Sequence, residues 1–214
     1  MTEFESHIEF YRLYWHQHFS KVVPEDNWGD SKLAEEYLQK YWLPEQEYLS
    51  FWKRIQDKIF VHGKTLPDLI YHSGFEMIVA NGGCLFVEED FKQLQKAMLS
   101  IGEMYFAVVQ NTQEYTNDEP MFRMKFPVNI TWDELTSGNY ISAVLLEMSL
   151  NEFFVFGENG NWGKYSANDY KRPLDIIGFK PELAHIFQEH FRQPKEDQEE
   201  IWEWLPQEYK ELIK

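Results

Sequence analysis

The side chains best suited to chemistry near neutral pH are seven histidines and one cysteine, since imidazole and thiolate groups carry proton transfer, nucleophilic attack and metal binding. Their spacing does not assemble a site. His16 and His18 lie two residues apart inside one predicted helix, so they point about 200° from each other and cannot share an ion. His185 and His190 differ by five, a poor helical match. Glu182 and His185 fit the Glu-x-x-His half of a carboxylate-bridged metal site, but that site needs a second copy, which the chain lacks. There is neither a His-Glu-x-x-His motif nor a cysteine pair. The reading is therefore no metal and no cofactor. Cys84, after Gly82-Gly83, could act as a nucleophile with His72 as its base; a small buried thiol at the start of a strand is the commoner role.

Other chemistries have less behind them. Serine catalysis lacks a Gly-x-Ser-x-Gly elbow. The glycines around Gly157-Glu158-Asn159-Gly160-Asn161-Trp162-Gly163 suggest a phosphate loop, yet no Lys-Ser or Lys-Thr follows and Glu158 would repel an anion. Asn168-Asp169 reads as an Asx turn that could touch a ligand. Thirty-six carboxylates offer any number of acid–base pairs, and none stands out. Eight tryptophans make a sugar-stacking cleft conceivable, but Trp15, Trp42 and Trp52 lie in amphipathic patterns that bury them.

The feature that remains is an acidic tail. Residues 173–214 carry 10 acidic and 5 basic side chains. Within it Glu196, Asp197, Glu199, Glu200 and Glu203 surround Trp202 and Trp204. One reading is a solvated helix on which Trp202 and Leu205 seal the core. The functional reading makes Glu199, Glu200, Trp202 and Trp204 a partner-binding surface, in which aromatic anchors supply affinity and the charge speeds encounter with a basic protein.

The elements that must position these residues follow from hydrophobic period. Phe4, Ile8, Tyr11, Trp15 and Phe19 recur at helical spacing, as do Leu33, Tyr37, Leu38 and Tyr41 after a possible cap at Asp30 or Ser31. Pro44 opens a third helix bearing Tyr48, Trp52, Ile55 and Ile59, which stops near Gly63. A further helical stretch is predicted from Pro67 through Met77, ended by Asn81-Gly82-Gly83, with a short strand over 84–87. Glu88-Glu89-Asp90 suits a helix N-terminus. The stripe of Phe91, Leu94 and Met98 continues that helix, and Gly102 stops it.

Beyond residue 103 the period becomes two. Residues 104–110 read as a central strand, Phe122, Met124 and Phe126 as the inner face of a half-buried strand, and 140–147 as another. Thr131-Trp132-Asp133-Glu134 fits a capping box. Residues 150–166 read as a hairpin with a type I′ turn at Asn159-Gly160, pairing Gly157 with Trp162 and Phe156 with Gly163 so that an aromatic ring covers each glycine. Helices over 180–192 and 195–205, with Pro206 interrupting before 209–213, close the chain. The expected class is α+β: a helical N-terminal half packed on an antiparallel sheet from the second half, followed by C-terminal helices, all in one domain over 1–214.

Composition bounds the role. A net charge of −16 disfavours sequence-independent nucleic-acid binding. No apolar run approaches a membrane span and no secretory leader is visible, while a lone cysteine suits a reducing cytoplasm.

The segment Leu66-Pro67 followed by Asn81-Gly82-Gly83 resembles the Leu-Pro … Asn-Gly-Gly stretch of the SMI1/KNR4-like (SUKH) superfamily, over about 20 residues. Many members of that superfamily are immunity proteins that block bacterial toxins by binding them. The resemblance implies a protein-binding protein, immunity-type or regulatory, that neutralises a basic partner, and the absence of a catalytic signature points the same way. The competing expectation is an enzyme or small-molecule binder, with carbohydrate one option, using an aromatic cleft near residues 153–165.

Overall fold

The computed structural model describes residues 31–82, 85–111, 122–139, 141–142, 152–167, 174–191 and 195–213. Helix α1 (Ser31–Tyr41) buries Ala34, Tyr37, Leu38 and Tyr41. A helical run, α2, follows Pro44: Glu45–Glu47 and Lys53–Ile59 are α-helical, and Tyr48–Trp52 between them is wound as π-helix. Strand β1 (Glu76–Asn81), helix α3 (Glu88–Ser100), strands β2 (Tyr105–Gln110) and β3 (Arg123–Pro127), and the short helix α4 (Trp132–Leu135) come next. Strands β4 (Phe153–Gly157), β5 (Trp162–Ala167) and β6 (Leu174–Phe179) then precede α5 (Ala184–His190), α6 (Lys195–Trp204) and α7 (Gln207–Lys210). The α+β expectation holds, with helices at both ends of the described chain.

The six strands form one sheet in the order β1-β6-β5-β4-β2-β3, each antiparallel to its neighbours. Side chains alternate across a strand, so a sheet covered on both sides needs apolar residues at every position. β4, β5 and β6 are buried throughout and apolar but for their glycines and Lys164, Ser166 and Asp175. One face carries Phe106, Val108, Phe126, Phe153, Val155 and Phe179 under α1, α3, α4 and α5. The other carries Ala107, Val109, Phe154, Phe156, Tyr165 and Ile176 under α2, the 66–75 segment, α6 and α7. On this second face the Tyr71 hydroxyl reaches the carbonyls of Gly163 (3.0 Å) and Ile176 (2.6 Å). A Cβ on Gly178 would lie 2.4 Å from the Tyr71 ring, so the glycine is a packing requirement. The outer margin of β3 is stitched to the chain after α1: Trp42 bridges Met124, and Leu43 N donates to Arg123 O at 3.1 Å.

Several expectations change. The predicted helix from Pro67 through Met77 is replaced by turns and then by β1: Gly74 sits at φ +90°, and Met77, Ile78 and Val79 pair with β6. The N-terminal half therefore contributes a strand to the sheet. Residues 85–87 are not a strand, and Cys84 lies outside the described residues. β6 was not read from the sequence at all. Of the strand expected over 140–147, Ile141 and Ser142 are helical and the rest lies outside the described residues, as does the helix with Phe4 and Trp15. The capping box is present: Glu134 N donates to Thr131 Oγ1 at 3.2 Å, and Thr131 N donates to Glu134 Oε2 at 3.3 Å. The hairpin and its register stand, but its turn is not type I′. Gly160 N donates to Gly157 O (3.3 Å), which centres the turn on Glu158-Asn159, and only Gly160 has positive φ, +68°. The Trp162 indole does cover Gly157, and the Phe60 ring lies over Gly163.

Candidate functional site

Helix α6 carries all four residues nominated for partner binding. Ile201 and Leu205, one turn apart, dock it on the core beside β1. Tyr209 of α7 holds the end in place: its hydroxyl accepts from Ile70 N and donates to Asp68 O, both at 3.0 Å. Glu199, Glu200 and Glu203 are exposed, and Trp202 and Trp204 keep 43% and 38% of their surface open. It is Ile201, not Trp202, that seals the core with Leu205.

A helix turns about 100° per residue, so the two rings diverge by about 200° and flank the buried stripe on opposite sides. Glu199 lies toward Trp202 and Glu200 toward Trp204, while Glu203 points straight out between them, opposite the buried stripe. The nominated residues thus form two half-sites back to back along one helix. A flat partner surface can engage one of them together with the outward-facing glutamates.

The aromatic hairpin offers no comparable opening. Phe153, Phe154, Val155, Phe156, Trp162 and Tyr165 are all buried, because helices cover both faces of their strands. The cleft expected near 153–165 is filled core.

Two ionisable side chains, neither nominated from the sequence, meet in that interior. Lys164 and Asp175 are 4% and 5% exposed, with Nζ and Oδ2 2.7 Å apart. Ser166 Oγ donates to the other carboxylate oxygen at 2.8 Å, and Lys164 also donates to Leu85 O with its ammonium over the Phe86 ring. Burial raises the Asp175 carboxyl above its usual range, Lys164 and Ser166 pull it back, and Asp90 adds a smaller upward push. Every polar atom of the cluster is matched, as a buried charge pair requires. The available signal was a lysine amid an aromatic strand and an aspartate amid an apolar one.

On the opposite face the Tyr165 hydroxyl donates to Glu152, and Asn111 Nδ2 donates to the same carboxylate oxygen at 3.1 Å. Burial, with Glu152 alongside, holds the Tyr165 phenol well above its usual range. Arg123 is buried: its Nε donates to Leu43 O at 3.2 Å while the guanidinium lies over Trp42 and Tyr48.

Among the other candidates, the exposed His72 ring nitrogen bonds to Asp57 O at 3.0 Å. Glu182 and His185 are both exposed, and among the described residues no group of three or more His, Cys, Asp or Glu could hold a metal. His16, His18, Asn168 and Asp169 lie outside the described residues. No described helix is long and apolar enough to cross a membrane. Comparison with protein-family models, curated proteins and solved structures finds no match to this chain.

Proposed function

We propose that this chain is a non-catalytic binding protein of the cytoplasm that captures a basic protein, in its specific form as an immunity-type protein neutralising a toxin. The observation that carries the reading is helix α6, which presents two exposed tryptophans among exposed Glu199, Glu200 and Glu203 while its opposite face is anchored in the core. Tryptophan is among the side chains most enriched at interface hot spots. Paired with carboxylates, it supplies a desolvated contact inside a charged rim. The net charge of −16 favours a cationic partner at long range. The Leu66-Pro67 … Asn81-Gly82-Gly83 resemblance supports the immunity form.

The test is association kinetics with the product of the gene directly upstream, where a toxin would be encoded. Binding that slows with added salt, and slows about ten-fold or more when Glu199 and Glu203 are both changed to lysine, is the expected result. Trp202→Ala should speed dissociation without lowering thermal stability. Salt-independent association, unchanged by the reversals, would remove α6 from the mechanism.

A further inference from the structure

The register between β1 and β6 determines which backbone groups of β1 the sheet uses. Lys180 N donates to Asn161 O at 2.8 Å. In an antiparallel ladder a residue turns its N–H and C=O to one side, and successive residues alternate. Leu174, Ile176 and Gly178 therefore face β5, and Asp175, Ile177 and Phe179 face β1. The partners of those three in the register are Ala80, Ile78 and Glu76. Met77 and Val79 are left with N–H and C=O turned outward, and among the described residues no backbone hydrogen bond reaches them there. The other outer strand differs, since Leu43 N already donates to Arg123 O of β3.

The outward groups repeat every second residue, about 6.6 Å along the strand, which is the spacing another strand presents. Side chains prepare both faces for such an addition. Met77 and Val79 lie on the second face with Ile176, Ile78 lies on the first, and all three are half-buried. The local charge is one-sided. Glu76 is exposed at the start of β1, which has no basic side chain. Helix α6, packed beside β1, exposes Glu199, Glu200 and Glu203 and has one basic residue, Lys195 at its start.

We propose that β1 is the docking strand for an extended basic segment of a protein partner, which lengthens the sheet by bonding to Met77 and Val79. Main-chain bonds of this kind supply affinity without regard to sequence, and side chains select the partner. Here the carboxylates favour lysine or arginine and repel an acidic strand. The choice of a basic partner rests on the reading of α6 given above; the strand on which that partner aligns is added to it.

The probe is a short capped peptide of alternating lysine and valine, with amide exchange of the full chain read by NMR. Saturating peptide should slow exchange at Met77 and Val79 about ten-fold or more and leave Ile78, already bonded to β6, unchanged. A glutamate–valine peptide should bind about ten-fold more weakly or worse. Proline is tolerated on an outer strand where its missing N–H would point outward. Val79→Pro should accordingly weaken the lysine–valine peptide, whereas Val79→Ala, which keeps the N–H, should not. Peptides methylated on the lysine nitrogens or on the valine nitrogens need no protein variant. One of the two should lose binding and the other keep it, because a strand bonds through alternate residues. Slowed exchange at Met77 and Val79 that survives Glu199→Lys with Glu203→Lys would uphold the docking strand and remove α6 from recognition. Peptide binding that those reversals weaken, but that leaves the Met77 and Val79 amides unchanged, would overturn the docking strand and leave α6 standing. Absence of peptide binding would overturn it too. So would protection in the peptide-free chain that grows with protein concentration, which would put a second copy there.

Discussion

Replacing Lys164 by methionine tests the account of the sheet interior most severely. The stem keeps a similar volume and its contact with Phe86, so packing changes little, but the ammonium that faces Asp175 at 2.7 Å and bonds Leu85 O is lost. Ser166 alone remains on the carboxylate, at 2.8 Å. Breaking a buried pair from one side costs about 3–5 kcal/mol, because an uncompensated charge stays inside. The deficit should depend on pH. Without Lys164 the Asp175 carboxyl loses its main downward influence, and its folded-state pKa climbs further above the unfolded value. A raised carboxyl favours the fold below the unfolded pKa and loses that benefit as pH rises through the folded pKa. Lys164→Met should therefore be most damaging at pH 7.5 and milder at pH 4.5, by about 1.4 kcal/mol for each unit below the folded pKa. Adding Asp175→Asn should recover most of the loss at pH 7.5. Urea unfolding at the two pH values measures all of this. A deficit below about 1 kcal/mol, or one equal at both pH values, would refute the reasoning.

Two smaller perturbations probe local geometry. Gly160→Val should cost about 1 kcal/mol or more, since φ +68° resists a β-branched side chain, and an unchanged melting temperature would count against the turn. Thr131→Ala removes the acceptor for Glu134 N and should lower stability by about 1 kcal/mol in urea unfolding.

Much of this fold was legible because local signals agreed with the tertiary answer. The stripes of α1, α2 and α3 declare themselves by a local period, the capping box and the Gly102 stop rest on contacts within a few residues, and the hairpin register follows from its short loop. β1 and β6 escape a local reading for a common reason. β1 and β6 pair with each other across roughly a hundred residues of chain, and nothing local announces that pairing. Met77-Ile78-Val79 reads equally as helix or strand, and Asp175 and Gly178 interrupt β6 for causes, Lys164 and Tyr71, that lie elsewhere in the chain. Helix α6 was visible as an acidic helix; which flank each tryptophan takes became clear only when Ile201 and Leu205 were seen to be the buried stripe.

The sheet's two outer strands are protected unequally. β3 has its margin stitched by Leu43, while β1 lies at the opposite side with α6 packed beside it. Met77, Ile78, Val79 and Ala80 make β1 the kind of half-buried apolar strand that recruits a like strand from another molecule. The exposed glutamates of α6, the helix packed beside β1, put negative charge on that side of the sheet and oppose the approach of a second copy. The helix proposed to meet a cationic partner would thus also guard the chain against its own aggregation, with solubility and recognition sharing the same turns.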